Sequence, residues 1–599
     1  MNMLKKILAL FCASVVFMSA AACGGDSGSS GGGDASGSSR EDAGSGEKDS
    51  SADESGESTD KTAANEDAVV LRIYTPAGGE APMSAGLQDD AIAKKIEEDV
   101  GVILDIEITD ENKTQAMVAS GDLFDLNLVG KVEYIDPLIK VGSIAAFDDY
   151  MELAPDITEN FGELISFSKD FLSGGTDQIY VLPARAKEEA TPVYPAQDGN
   201  FIRWDYYEEI GAPEINNVDD LVDVLDQIVK NHPTTEDGKQ VYATCTFMDW
   251  GLGTGFKGSA LKKYHGNSSN VPGPFDSYSL ADMSYQDMYS DDNTTWLTCE
   301  FYNKLNQRGI FDPESFSHKY ENVMQKINEG RYVTMPAEWY FESYNKDLAA
   351  ETDGEAKYVD IPFADTADYP AWYGRSAPFG YTQRMYVMSS KCEHPEKAVE
   401  LLNWIYSVEG SRTIFNGVKG MTWDDIDGKA QLMPDVLDKI NNDSAYTLEM
   451  GIGKYKGMVG QDYDAVDPAT GIHIDLMQES DVIKAGMTAA DKAYAEHYNA
   501  EIPLDVIGNR ENKTDSTLAY EALMPVDVPT DISRAVTKIE NYLMQELAVL
   551  VKAETDEAYQ AKVEEIREEL KAMDYDTVRD FYKEAFDDAQ TKYEEYKGN

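Results

Sequence analysis

Between Ala68 and Val129 the chain alternates between strand and helix periods, and this alternation limits its architecture more than any other feature. Ala68-Val69-Val70-Leu71-Arg72-Ile73-Tyr74 is β-rich and stops at Thr75-Pro76-Ala77-Gly78-Gly79. Ala91 to Glu98 then places apolar residues at helical spacing, and Gly101 ends that helix. Val102 to Ile108 is a second β-rich run, Lys113 to Ser120 a second helix closed by Gly121, and Leu126 to Val129 a third strand. Strand, helix, strand, helix, strand is the pattern of an α/β layer on a parallel sheet, because parallel neighbours need a crossover helix.

The segment before this unit cannot fold in that way. Residues 24–67 hold 10 Gly and 11 Ser among 44 positions, with 12 acidic and 3 basic side chains. So little apolar surface cannot offset the entropy of ordering, and the segment reads as a tether with a reach of roughly 35–40 Å. Met1 to Ala22 reads as a secretory signal, with Lys5 and Lys6, an apolar run from Ile7 to Met18, and the small residues Ser19 to Ala22. Cys23-Gly24-Gly25 follows and is similar to a bacterial lipoprotein cleavage site, which implies lipidation of Cys23. Ala20 stands where that pattern usually has Leu. Ordinary cleavage after Ala22 is the alternative. Acyl chains on one cysteine give stable anchoring, so the expected location is the outer face of the cell membrane.

The folded part is large and acidic. The chain has 599 residues, 51 Lys+Arg against 110 Asp+Glu and a formal net charge of −59, of which residues 68–599 carry −52. Phosphate-binding surfaces concentrate cations, so nucleic acid is not an expected partner. A hydrophobic fraction of 42% supplies cores for more than one domain. The remaining cysteines, Cys245, Cys299 and Cys392, are far apart in sequence and read as buried thiols, not a metal set or disulfide framework. Later helices are expected over Val218–Lys230 with Asn217 as N-cap, over Trp296–Arg308 and over Pro395–Tyr406. Further stripes run through Val536, Ile539, Leu543, Leu547 and Leu550 and through Val563, Ile566 and Leu570.

Chemistry-bearing motifs are weak. Gly253-Thr254-Gly255-Phe256-Lys257-Gly258 matches the dinucleotide pattern formally but lies far from the first α/β unit, so it reads as a loop after a strand over Val241–Phe247. Asp462, Asp464, Asp467 and Asp475 around Gly471 could cage calcium, yet their spacing fails the EF-hand loop. No cofactor is expected. What stands out is aromatic residues beside polar ones: Arg203-Trp204-Asp205, Asp249-Trp250, Glu338-Trp339-Tyr340 and Trp372-Tyr373-Gly374-Arg375. Aromatic planes cover the C–H faces of a sugar ring while carboxylates, amides and guanidinium groups pair with its hydroxyls. Any one of these aromatics serves equally well as core.

Several segments together resemble the extracellular solute-binding lipoproteins of bacterial ABC importers, of the long carbohydrate type. Ala119-Ser120-Gly121-Asp122-Leu123-Phe124-Asp125-Leu126 is similar to that family's Ala-Ser-Gly-Asp-x-Pro-Asp segment, with Phe124 replacing Pro. Gln178-Ile179-Tyr180-Val181-Leu182-Pro183 resembles its next signature without the customary Gly-Lys. Ile202 to Gly211 resembles its Arg-x-Asp-Trp-Leu-x-x-Leu-Gly motif, and Tyr302 to Leu305 with Gly309 to Pro313 its Asn-x-Leu and Gly-Leu-Ile-Asp-Pro stretch.

The resemblance implies a two-lobed α/β fold of the type II periplasmic-binding-protein kind, with a hinge, a ligand cleft between the lobes and a helical C-terminal part. It places 68–190 and a return segment near 376–420 in lobe one, and 191–375 with 421–599 in lobe two. It implies a monomer that closes on an oligosaccharide and delivers it unchanged to a transmembrane permease. The residues assigned to ligand on this basis are Tyr74, Arg203, Trp204, Asp205, Trp250, Glu338, Trp339, Trp372 and Arg375. Two rival readings stand beside it: a binder of peptide or another polar solute, and a surface glycosidase.

Overall fold

The β-rich run after Ala68 becomes β1 (Val69–Pro76), the strand through which the first lobe is organised. In the computed structural model, residues 68–76, 84–187, 191, 193–195, 198–249, 251–252, 267–268, 273–279, 282–362, 377–381, 383–507, 517–524 and 528–598 are described. Contacts divide the chain into two units, 1–62 and 63–599, and every described residue belongs to the second.

β1 pairs in parallel with β3 (Val102–Thr109) along its whole length, from Val69 opposite Val102 to Pro76 opposite Thr109. On its other side it pairs in parallel with β4 (Leu126–Val129), Tyr74 opposite Asn127. Two crossover helices make this possible. α1 (Ala91–Val100) buries Ile92, Ile96 and Val100, starts where the Asp90 carboxylate accepts from the Ala93 N–H, and ends at Gly101 with φ 73°. α2 (Glu111–Ser120) is capped the same way by Asp110 and ends at Gly121, φ 66°. Left-handed caps of this kind favour glycine, which has no Cβ to clash. β2 (Gly86–Leu87), β5 (Ile144–Ala145), β6 (Leu182–Pro183) and β10 (Met385–Ser389) complete a seven-stranded sheet. Its order is β2-β3-β1-β4-β10-β5, with β6 also on β10.

β10 enters the sheet antiparallel to β4, some 256 residues after it, with Met385 opposite Val129. The helix after it, Pro395–Tyr406, buries Ala398, Leu401, Leu402 and Ile405 against the same core. That core also takes Tyr455, Met458, Val459, Ala465 and Ile474. First-lobe packing thus runs well past position 420, where the sequence reading placed the return to lobe two.

The second lobe is built on a three-stranded antiparallel sheet, β8 (Thr334–Ala337), β7 (Asp198–Arg203) and β9 (Tyr358–Asp360) in the order β8-β7-β9. Its main core gathers the apolar face of the helix Val218–Asn231, where Asn217 accepts from the Asp220 N–H, and that of Thr294–Gln307. The long helix Thr530–Val551 adds Ile539, Leu543, Leu547 and Leu550, all buried, and Asp556–Ala572 adds Val563, Ile566 and Leu570. Full burial of each such side chain stabilises by about 1.5–3 kcal/mol. The expected strand over Val241–Phe247 contributes only the isolated bridges Tyr242–Tyr332 and Thr244–Phe311. The last helix, Tyr575–Gly598, joins two cores: Tyr575 and Val578 pack in the second lobe, and Phe586, Ala589 and Tyr593 pack with Val129, Met385 and Phe379 beside the first-lobe sheet.

Three stretches of chain run together where the lobes meet. The Arg185 and Ala186 N–H groups donate to the carbonyls of Val459 (3.0 Å) and Gly460 (2.8 Å). Lys187 and Ala377 exchange both backbone bonds, at 3.1 and 2.7 Å, and the Thr191 N–H donates to the Asp464 carbonyl at 3.1 Å. At Gly380 (φ 79°) a Cβ would lie 2.7 Å from the Pro183 carbonyl oxygen, so only glycine admits this approach. These connectors are the hinge that such a topology needs. Among the described residues no helix is long and apolar enough to cross a membrane.

Candidate functional site

In open α/β sheets ligands sit beyond the carboxyl ends of parallel strands. Here the connectors reach that same edge of the first-lobe sheet, because Met385, the start of β10, lies opposite Val129, the end of β4. Tyr74 stands near that end of β1, 1% exposed. Its hydroxyl shares a hydrogen bond with Thr114 Oγ1 of α2, and its ring lies nearly parallel to Phe124, centroids 6.5 Å apart. Phe124 also carries the Arg72 guanidinium 4.4 Å over its face. Thr75 and Thr109, at the ends of β1 and β3, have buried hydroxyls with no partner among the described residues. This edge thus offers polar atoms that the protein does not itself satisfy, and such atoms are costly to bury unless something else pairs with them.

The facing edge of the second lobe is set by strand register. Ala337 pairs with Asp198, so the turn after β8, Glu338–Tyr340, lies at the end of the sheet where the chain arrives from lobe one. Trp339 is 40% exposed, stacks on Tyr340 at 3.8 Å and 24°, and has Tyr320 at 6.1 Å. The Asp249 carboxylate accepts from the Tyr320 N–H and fixes that ring's backbone. A half-exposed indole held flat on a second ring is a surface that suits an apolar ligand face.

Glu338 adjoins this platform and has no hydrogen bond or ion pair to its carboxylate among the described residues; burial, and then Glu342, push it up to about 7. Lys456 of the first lobe acts on Glu338 through space and also on Asp475, which burial pushes up to about 6. On both carboxyl groups Lys456 thus acts against the burial that raises them. Beside it the Asp475 carboxylate accepts from the Met477 N–H, and Thr191 Oγ1 meets His473 Nε2 at 2.5 Å.

The register separates other residues that the sequence reading grouped with these. Arg203 is five residues along β7 from Asp198, about 17 Å at strand rise. It is buried, its Nε donates to Asp205 Oδ1 at 2.8 Å, and its guanidinium lies 4.0 Å over Tyr206. Burial opposes its charge, but Asp205 outweighs that and holds its pKa above the ordinary value. Trp204, 1% exposed, packs edge-on to Tyr494 at 5.5 Å inside the main core. Arg203, Trp204 and Asp205 thus form a structural unit at the opposite end of β7 from Asp198, with their partners inside the second lobe. Trp250, Trp372, Arg375, Cys23 and the Gly253–Gly258 loop lie outside the described residues.

Two of the four carboxylates read as a possible calcium cage, Asp462 and Asp464, have protein cations as partners. Arg185 Nε meets Asp462 Oδ1 at 2.9 Å, and Lys187 Nζ lies 2.6 Å from Asp464 and 3.4 Å from Asp462. All four side chains are buried or nearly so, and they clamp the first connector to the third. Burial works against Lys187, but Asp464 and Asp462 outweigh it and hold its pKa above the usual value. Asp462 is held down by Arg185 and Lys187 against its burial, while burial raises Asp464. Arg185 itself has φ 58°, a conformation that a bulky residue keeps only where its surroundings hold it. Asp467 caps its own turn through the Ala469 N–H and Thr470 hydroxyl. Asp312, Glu314 and His318 also converge, with ligand atoms within 4.8 Å of one another. Lys326 Nζ lies 2.7 Å from both of those carboxylates and already supplies the cation. Cys245 and Cys299 are buried free thiols and Cys392 is half-buried.

Lys456, Tyr320 and the Lys187 cluster carry no sequence signal, since each gains its meaning from residues brought together by the fold. Phe124 does carry one: an aromatic ring where the similar segment has proline.

Neither a protein-family model nor a curated protein matches the chain. Solved structures do. An HMO-binding, ABC-transporter-associated solute-binding protein from Bifidobacterium longum infantis is similar with a TM-score of 0.55 at 15% identity, over 87% of this chain and 99% of its own. The substrate-binding protein FusA of Streptococcus pneumoniae, an EF-hand mutant in complex with fructo-nystose, gives 0.54 at 15% identity over 88% and 100%. The alginate-binding protein AlgQ2, solved without calcium ion, gives 0.53 at 17% identity over 87% and 99%. Agreement of this extent shows that the chain has the two-lobed α/β fold of ABC-transporter solute-binding proteins.

Proposed function

We propose that the protein captures an oligosaccharide between its lobes and hands it to the permease of an ABC importer, held at the outer face of the membrane as a monomer by lipidated Cys23 and the 24–67 tether. The observation that carries this reading is Trp339, 40% exposed and stacked on Tyr340 in the turn after β8. The named ligands of similar structures, fructo-nystose and alginate among them, support it. The mechanism is a hinge equilibrium. A ligand that touches both Trp339 and the β1–β4 edge does so only in the closed form, so it shifts the population toward closure by its differential affinity. Tyr74 and the Thr75 and Thr109 hydroxyls would contact it from lobe one, Glu338 and Trp339 from lobe two.

Calorimetric titration of the soluble body (68–599) with a panel of manno-, gluco-, xylo- and fructo-oligosaccharides and short peptides tests this. An oligosaccharide is expected to bind without turnover, and Trp339→Ala is expected to weaken it about 10- to 100-fold with the melting temperature unchanged, as loss of one stacking plane predicts. Binding of peptides alone would reject the carbohydrate reading, and release of cleaved sugar would reject the transport reading.

A further inference from the structure

The last helix, Tyr575–Gly598, is gripped at its two ends by different parts of the molecule. Its 24 residues span about 36 Å at helical rise, and a helix of that length curves only gently. At its start the grip is directional. The Tyr575 hydroxyl donates to Asp276 Oδ1 at 2.5 Å and accepts the Met288 N–H at 2.7 Å. Arg579 Nη1 lies 2.9 Å from Asp576 and 3.7 Å from Asp287, and Tyr575 and Val578 join the second-lobe core. At its end the grip is apolar. Tyr593 stands edge-on to Phe379 at 6.0 Å, and Tyr596 meets Phe171 at 5.1 Å and both Phe167 and Phe379 at 6.3 Å. Phe167 and Phe171 belong to the first-lobe helix Gly162–Phe171. Phe379 lies in the second connector beside Gly380, where a Cβ would meet Pro183. One stiff rod therefore bridges both lobes and touches the hinge between them.

We propose that this helix is a brace that sets the resting angle between the lobes, and that its Tyr593–Tyr596 end is the contact that slides when the hinge turns. The inference concerns the hinge alone and needs no particular ligand. Rotation about the connectors changes the separation of the two gripped points, while the rod keeps its length, so one grip must give way. Hydrogen bonds hold their partners at a fixed distance and angle, and breaking one leaves a buried polar group unpaired. Ring contacts make no such demand. Offset and edge-on arrangements are both favourable over centroid distances of about 4.5–7 Å, so one can be exchanged for another. The apolar end is thus the one that yields, and its burial biases the lobes toward the angle at which the rings pack.

The test measures the interlobe distance by double electron–electron resonance in the chain 24–599, which keeps every described core. Spin labels are placed at Lys94→Cys on α1 and Gln227→Cys on the helix Val218–Asn231, both exposed, with Cys392→Ser to remove the half-buried thiol. Without ligand, one distance is expected to hold at least about 90% of the molecules. Tyr596→Ala, which loses a half-buried ring, is expected to raise the remaining share at least about threefold, and a chain ending at Gln590 to raise it further. Glu595→Ala, exposed beside Tyr596, should leave the distribution unchanged. An unaltered distribution in Tyr596→Ala and in the shortened chain, both still melting cooperatively, overturns the proposal. If the shortened chain does not melt cooperatively, Tyr596→Ala decides by itself. Equal broadening by Glu595→Ala, or a wild type already spread over several distances, overturns it as well.

Discussion

Two groups of charged side chains taken largely out of water are solved in opposite ways. At the connectors Arg185, Lys187, Asp462 and Asp464 are two cations against two anions, each within 2.6–3.4 Å of a partner. Glu338 and Asp475, by contrast, make no ion pair among the described residues, and burial pushes both up against the through-space pull of Lys456. A charge taken from water costs several kcal/mol unless it is paired and hydrogen-bonded. The connectors meet that cost internally, so their charges are part of the fold. The cleft does not, and a protein keeps such a cost where a ligand is to offset it.

The largest expected effect breaks the first group. Asp464→Ala leaves Lys187 buried without its nearest anion and is expected to cost about 3–5 kcal/mol, read from the urea midpoint of the 68–599 body. Replacing Lys187 and Asp464 together by Met and Leu should recover most of that loss, because no uncompensated ion remains. A single variant within about 1 kcal/mol of wild type would mean that the connector charges are not holding the hinge.

The second effect concerns Glu338 and runs the other way. Its folded value, about 7, stands above the ordinary 4.5. A carboxyl group raised on folding contributes its stability in full below its unfolded value and loses it as pH rises through its folded value. The wild type should therefore lose stability between pH 4.5 and 7 relative to Glu338→Gln, which cannot ionise. By pH 8 the variant is expected to be the more stable by about 1–2 kcal/mol, a figure discounted for the partial exposure of this side chain. Parallel pH–stability curves for the two proteins would show that Glu338 has a partner after all and would erase the contrast.

The same contrast explains what could be read in the chain and what could not. The α/β alternation of 68–129, the helix ends at Gly101 and Gly121, and the stripes of the C-terminal helices follow from local periodicity, and the structure has them at those positions. Glu338-Trp339 stands out in the sequence because an aromatic beside an acid is a local pattern. Arg203-Trp204-Asp205 has the same local pattern and sits about 17 Å away along the strand, since only pairing register decides which end of a sheet a residue occupies. Asp462 and Asp464 looked like calcium ligands because their partners, Arg185 and Lys187, are 277 residues upstream. Lys456 is one lysine among many until the fold brings it within electrostatic reach of Glu338. Long-range electrostatics is the part of a site that a sequence conceals.

The smallest effect supplies the reference for both groups. On the last helix Lys583 Nζ and Asp587 Oδ2 are 2.6 Å apart, as close as Lys187 and Asp464, but both side chains are about half exposed. Water already solvates these charges, so pairing them gains little and salt screens that gain. Lys583→Ala should cost less than about 0.5 kcal/mol and nothing measurable in 1 M NaCl, where the Debye length is about 3 Å. The Asp464→Ala loss should persist in the same salt, because counterions do not reach a buried lysine. Equal distances with unequal salt dependence would show that burial, and not geometry, separates the charges that build this hinge from those that merely decorate its surface. If the two losses faded together on adding salt, the connector cluster would have to be counted with the surface pairs.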